Sequence, residues 1–454
     1  TEAFVLNFSD GINVLIGENG LGKTTILSMI NLFITGEYSK LVRYSFKEIS
    51  IIVGQNPFIF TRDEFEDFNR AYSYHSEDYD MNGLSLLEKS LSSSDLNAIS
   101  VKKIESAISS NNKLRQYFNG INSNPAQDLF GFISAFIKFF QFRQLLIRHQ
   151  VKVIYLPTYR RIEADINRVV AAFLSNDLDE LPSSYTRHIL DPRIERQLYS
   201  ILQNNRLIKF GMRDIQDSIR SILSDISKES LKGFSEVSGK MISKFLIERP
   251  EQEIQTSFDE NEIQIVLQRI GNNMSQRDKD IIIDLIHSNE IHDRYYLVYF
   301  LQSLLGVYEK QKEKDSALGD FAKACNKFLY DKEFIYDESH VTFDMYYKQD
   351  LKHRQPVSLE KLSSGEKQLI SVLAKVYLEL KNNVIILIDE PELSLSITWQ
   401  EKLLPILSEA NSCSQIIAVT HSPFIFNNEF RDSALGPMEF VSDNVEESVS
   451  QRVY

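Results

Sequence analysis

The chain is poor in the residues that mark the unusual protein classes. Its two cysteines, Cys325 and Cys413, are too few for a disulfide framework or a four-ligand zinc site, and both suit a reducing cytosol. One tryptophan, 17 glycines and 11 prolines in 454 residues exclude collagen-like and low-complexity chains. No run approaches the roughly 18 to 20 consecutive apolar residues that span a bilayer, so no membrane association is expected. Thr1-Glu2-Ala3-Phe4 carries no basic region before an apolar stretch, which predicts no signal peptide, a slightly trimmed N-terminus and a cytoplasmic protein. Positive charge is also scarce: 50 Lys and Arg against 63 Asp and Glu leave a net charge of −13. A strongly basic chain would signal nucleic acid through phosphate neutralisation, and this one does not, although a local basic groove stays open.

What is present is ordinary globular composition, 43% hydrophobic and 25% charged. At roughly 150 residues per domain the length suits about three folding units, or one large α/β domain with an insertion. The ends read as α/β. Phe4-Val5-Leu6 and Asn13-Val14-Leu15-Ile16 flank the Asp10-Gly11 turn signal, and residues 44–53 alternate as a further strand. Val151–Leu156, Val384–Ile388 and Gln415–Thr420 are continuous apolar runs, the mark of parallel strands covered on both faces. Between 56 and 150, and again between 162 and 340, the period is mostly helical, with Ser90–Ser100 and Glu251–Glu262 as loops. The predicted organisation is therefore α/β parts at 1–55, 151–161 and 341–454, interrupted by helical insertions at 56–150 and 162–340.

Chemistry enters at Gly17-Glu18-Asn19-Gly20-Leu21-Gly22-Lys23-Thr24-Thr25, a Gly-rich loop after a strand and before a helix. That context suits a phosphate cradle: glycines let backbone N–H groups approach, and the helix start adds its positive end. Lys23 is placed to reach the β- and γ-phosphates of ATP, and the Thr24 hydroxyl to bind Mg²⁺. Some 340 residues later come Leu362-Ser363-Ser364-Gly365-Glu366, a helical pattern, and the strand ending Ile388-Asp389-Glu390-Pro391-Glu392. A strand-end Asp can hold Mg²⁺, and the next carboxylate can take a proton from an attacking water. Thr420-His421-Ser422-Pro423 follows another strand, where a histidine is well placed for a γ-phosphate.

These motifs, in this order, resemble the ATPases of the ABC superfamily, and within it the RecF/OLD/SMC-like branch. The resemblance implies an ABC-type head, with a mostly parallel core sheet, flanking helices and an antiparallel N-terminal subsheet. It implies that Glu390 is the catalytic base, Asp389 the Mg²⁺ ligand and His421 the switch histidine. Ser363, Ser364, Gly365 and Glu366 would be the signature loop, acting on ATP held by Lys23 of a second copy, and Ser394-Leu395-Ser396 would fall at the D-loop. Two departures stand out. Ser364 replaces a signature glycine, and no glutamine obviously follows a core strand. Gln55 lies on an expected hairpin, whereas after Leu156 the chain reads Pro157-Thr158-Tyr159-Arg160-Arg161. There, Thr158, Arg160 or Arg161 approaches the nucleotide, or the arginines are a surface pair.

More narrowly, Tyr155–Glu163, Phe210-Gly211-Met212, Asp389–Ser396 and Thr420–Phe426 resemble the ATPase of Septu-type antiphage systems (PtuA-like), including retron-linked ones. That resemblance implies an HNH nuclease partner (PtuB-like) and, in retron versions, a reverse transcriptase with its DNA–RNA product. Only 33 residues follow His421 and the other seven histidines are scattered, so no intrinsic nuclease is expected. Lys138, Arg143, Arg148 and Lys152 among Phe139, Phe140 and Phe142 read as a solvated face over core phenylalanines, in preference to a nucleic-acid surface. Two other readings remain: a RecF-like DNA repair ATPase, and a nucleotide-stabilised scaffold with negligible turnover.

Overall fold

The computed structural model describes residues 11–17, 22–53, 56–66, 106, 110, 127–156, 212–246, 258–349, 355–378, 383–393 and 395–435. Its strands are β1 (Gly11–Ile16), β2 (Glu48–Val53), β3 (Asn56–Thr61), β4 (Lys152–Leu156), β5 (Lys332–Asp337), β6 (Thr342–Tyr347), β7 (Val384–Asp389), β8 (Cys413–Thr420) and β9 (Ala434–Leu435). Its helices are α1 (Lys23–Thr35), α2 (Tyr38–Leu41), α3 (Gln127–Arg148), α4 (Met212–Phe245), α5 (Glu260–Arg269), α6 (Gln276–His287), α7 (Tyr295–Glu309), α8 (Lys312–Asn326), α9 (Ser364–Tyr377), α10 (Ile397–Ser408) and α11 (Pro423–Phe426). They form two compact units. One comprises Thr1–Thr158, Lys381–Leu393 and Cys413–Tyr454, and the other Tyr159–Leu380 and Ser394–Ser412.

The first unit is built on a five-stranded parallel sheet in the order β4-β7-β8-β1-β9. Its central strands are apolar along nearly their whole length because both faces are covered. Helix α1 packs across β4, β7 and β8. Leu27 closes onto Leu15, Leu387, Ile417 and Val419 to make the core. Gly36 ends α1 in the left-handed region at φ 81°. Its N–H reaches Phe33 O at 3.2 Å and the Glu37 N–H reaches Leu32 O at 2.8 Å, a glycine-terminated cap that turns the chain sharply.

A second apolar centre in this unit gathers Phe33, Phe60, Phe65, Phe139 and Phe142 with Tyr38 and Leu41. The Phe33 and Phe142 rings stack at 4.9 Å, and each buried ring contributes about 1.5–3 kcal/mol of transfer free energy. Phe139, Phe140 and Phe142 are thus core residues. Of the cations between them, Arg143 and Arg148 are exposed, and Lys138 pairs with Glu64 and donates to Ile59 O at 2.7 Å. The helical insertion expected from residue 56 opens instead with β3, which pairs antiparallel with β2 from Val53↔Asn56 to Glu48↔Thr61. Six residues, Asn56–Thr61, are too short to show against the helical period of the sequence that follows. Gln55, Phe4–Leu6 and Ser90–Ser100 lie outside the described residues.

The second unit is mainly helical. Gly233 of α4 lies so close to α7 that a Cβ there would sit 2.4 Å from Val307 Cγ1, so only glycine permits this approach. Val237, Val266, Leu304 and Tyr308 form a shared apolar cluster. The insertion expected to stay helical to 340 runs into the β5–β6 hairpin, antiparallel from Lys332↔Tyr347 to Asp337↔Thr342. The loop expected over Glu251–Glu262 gives way at Glu260, where Asp259 caps α5 by accepting the Glu262 N–H at 3.2 Å. Trp399, the sole tryptophan, lies on α10 with its ring edge-on to Phe328 at 6.0 Å. No helix among the described residues is long and apolar enough to cross a membrane. Cys325 and Cys413 are free.

Candidate nucleotide site

Register explains how residues hundreds of positions apart come together. β8 lies between β1 and β7, with Ile16 opposite Thr420 and Val419 opposite Asp389. All three strands run the same way. The segments after Ile16, after Asp389 and after Thr420 therefore leave from one edge of the sheet, where open parallel sheets bind ligands.

From β1 the chain passes through Gly17 to Gly22, which is left-handed at φ 78° and ψ 14° and starts α1. The Ile26 N–H donates to Gly22 O at 2.9 Å, closing the first turn. Glu18, Asn19 and Gly20 lie outside the described residues. Lys23 is buried and its Nζ donates to Gly17 O at 2.8 Å, folding the amine back over the loop's entrance. Burial holds its pKa below the ordinary lysine value, while the charges of Glu390, Asp389 and Glu392 oppose that shift. The Thr24 hydroxyl donates to Asp389 Oδ1 at 3.1 Å, joining the start of α1 to the end of β7. Thr25 follows on the exposed side of the helix.

Asp389 is 3% exposed. Glu390 then enters the left-handed region at φ 48°, its N–H donates to Val419 O at 2.8 Å, and the Leu393 N–H closes the turn onto Glu390 O at 3.2 Å. No hydrogen bond to the Glu390 carboxylate is found among the described residues, whereas Glu392 is engaged on both oxygens. Glu392 Oε2 accepts the Thr420 hydroxyl at 2.7 Å and Oε1 accepts the His421 N–H at 2.8 Å. The Ser422 N–H donates to Thr420 Oγ1 at 3.0 Å. His421 itself is exposed. Glu392 is the residue that sequence reasoning missed. Its signal was a second carboxylate after Pro391, but nothing local said that it reaches across to β8.

In the second unit, Ser363 caps α9 in a reciprocal box. Its Oγ accepts the Glu366 N–H at 3.3 Å, and its own N–H donates to Glu366 Oε2 at 2.6 Å. Leu362 is buried, Ser363 and Ser364 are exposed, and Gly365 is half-buried. Glu366, expected among the nucleotide-binding residues, is 8% exposed, and its second oxygen lies 3.4 Å from Lys332 Nζ. Its two oxygens thus join the Ser363 N–H to Lys332. Thr158, Arg160, Arg161 and Ser394 lie outside the described residues. Ser396 is the N-cap position of α10.

The donor set at the sheet edge fits a magnesium nucleotide. A 13-residue helix starts there, with a lysine amine and a hydroxyl–carboxylate pair at its mouth. No group of three or more His, Cys, Asp or Glu that could cage a metal is found among the described residues. Mg²⁺ is commonly held by one or two protein oxygens together with substrate phosphates, and the Thr24 hydroxyl and Asp389 carboxylate are oxygens of that kind.

No curated protein matches the chain. Among solved structures it is similar to an Smc head domain with an extended coiled coil, bound to the C-terminal domain of ScpA, from Pyrococcus furiosus. Identity there is 14%, the TM-score is 0.23, and the match covers 49% of this chain and 56% of that one, so the chain spans little more than half of that structure's length. The family described as the AAA ATPase domain matches residues 1–426, nearly the whole chain, and the chain belongs to that family.

Proposed function

We propose that the protein binds and hydrolyses ATP as a head-to-tail pair and regulates an effector nuclease in an antiphage complex of the Septu kind. The observation that carries the ATPase part is the bond between Thr24 and Asp389, 3.1 Å long, beside the buried amine of Lys23. Thr24 and Asp389 are the residues to hold Mg²⁺, and Lys23 the residue to bind the β- and γ-phosphates. Bound Mg²⁺ supplies neutralisation of the charge that develops on the phosphoryl oxygens. Glu390, whose carboxylate accepts no hydrogen bond among the described residues, takes the proton from the attacking water. His421 contacts the γ-phosphate, aimed by the bond from its N–H to Glu392. The exposed Ser363 and Ser364, with Gly365 at the helix start, serve ATP held by a second copy. The nuclease and antiphage parts are supported by motif resemblance: an HNH partner, joined in retron-linked versions by a reverse transcriptase and its DNA–RNA product.

The test is Glu390→Gln with ATP and Mg²⁺. Turnover is expected to stop while a dimer accumulates, read by light scattering across protein concentrations. A mass that stays monomeric at every protein and ATP concentration overturns the paired mechanism.

A further inference from the structure

Lys332 opens β5 and is only 7% exposed, and a buried ammonium is costly unless it is partnered. Its Nζ lies 2.9 Å from Asp331 Oδ1 and 3.4 Å from Glu366 Oε1, over the ring of its cross-strand neighbour Tyr347 at 5.9 Å. Glu366 Oε2 meanwhile takes the Ser363 N–H at 2.6 Å. One carboxylate thus ties the strand to the turn that begins α9.

The strand is a firm anchor. Asn326 brackets Phe334, donating to its carbonyl at 2.8 Å and accepting its N–H at 2.7 Å. Four residues after Lys332, and on the same side of the strand, Tyr336 donates to Asp315, which pairs with Arg269 at 2.7 Å.

Resting on the paired mechanism above, we propose that Lys332 is a positioning residue for the Ser363-Ser364-Gly365 turn. It holds and neutralises Glu366, so that the turn meets the second copy's triphosphate with hydroxyls and N–H groups rather than with a loose carboxylate. Without Lys332 the Glu366 side chain is free to swing outward, and its negative charge would repel the incoming phosphates. Loss of the amine therefore weakens pairing far more than nucleotide binding by a single copy.

Lys332→Met removes the charge and keeps most of the volume. In the Glu390→Gln background with ATP, it is expected to weaken the dimer by about tenfold or more, to leave ATP affinity of the dilute monomer within about twofold, and to be largely rescued by Lys332→Arg. Independently of dimerisation, hydrogen exchange at the Ser363 and Glu366 amides is expected to accelerate by about tenfold while the rest of the second unit is unchanged. Should Lys332→Met fail to fold, Glu366→Gln reports the same tie from its other end. It keeps the hydrogen bond to the Ser363 N–H and removes the carboxylate charge, so Glu366→Gln is expected to pair as well as the parent while exchange at the Ser363 amide accelerates; weakened pairing with unchanged exchange overturns the proposal. Unchanged exchange at those amides in a folded variant overturns the proposal, as does an undiminished dimer of Lys332→Met. If the Glu390→Gln parent never pairs, the paired mechanism falls, and exchange alone decides whether Lys332 holds the turn.

Discussion

At Glu390 the main chain takes φ 48°, a region that costs a non-glycine residue about 1–2 kcal/mol. The bond to Val419 O and the turn closed by Leu393 hold it there, and such over-determined strain gathers at functional sites. Two positions on, Glu392 does a different job, binding Thr420 and the His421 N–H at once. Glu392→Ala is expected to lower kcat by about 10- to 100-fold with little change in ATP affinity, as when one positioned group near the reacting atoms is lost. The same substitution in a His421→Ala background should add almost nothing, because contacting residues couple. Steady-state kinetics on the two single variants and the double variant check this, and additive losses would detach Glu392 from His421. The placement of Asp389, Glu390 and His421 at strand ends was legible in the sequence because each follows a continuous apolar run. Glu392 was not legible, since its task depends on the register that sets Asp389 beside Val419.

Among the elements of the second unit, the buried group around Arg269 is the clearest joint. Its guanidinium donates to Gln311 Oε1 at 2.6 Å, to Asp315 Oδ1 at 2.7 Å and to Glu338 O at 3.1 Å, and it lies over the Tyr308 ring at 5.2 Å. These contacts join α5, α7, α8 and the β5–β6 hairpin. Arg269→Met removes the cation beside the buried Asp315 carboxylate, whose Oδ2 has no hydrogen-bond partner among the described residues. A loss of about 3–5 kcal/mol is expected, read by urea denaturation. Replacing Asp315 with Leu as well should recover part of it, because an apolar pair has no orphaned charge. Strands β7 and β8 could be read from their apolar runs, but β3 and β5 could not. Six-residue strands with one solvated face leave only a few alternating positions, which the longer helical period around them masks.

For the whole molecule, the chain alternates between units: β7 belongs to the first, α10 to the second and β8 to the first again. An α/β fold with a parallel core could be inferred from composition and runs. This interleaving could not, because it depends on contacts between distant segments. Under the proposed function, purification from the native host at low salt is expected to bring down an HNH nuclease, and a basic partner drawn to the net charge of −13 would be lost as salt rises. Hydrolysis stimulated by DNA alone, with no nuclease bound, would instead select a repair ATPase.

Trp399 stands three residues beyond Ser396, edge-on to Phe328, and the chain has no other indole. The protein therefore carries its own optical probe. Native fluorescence reports from one known helix, α10, so any rearrangement there during turnover can be timed without attaching a dye.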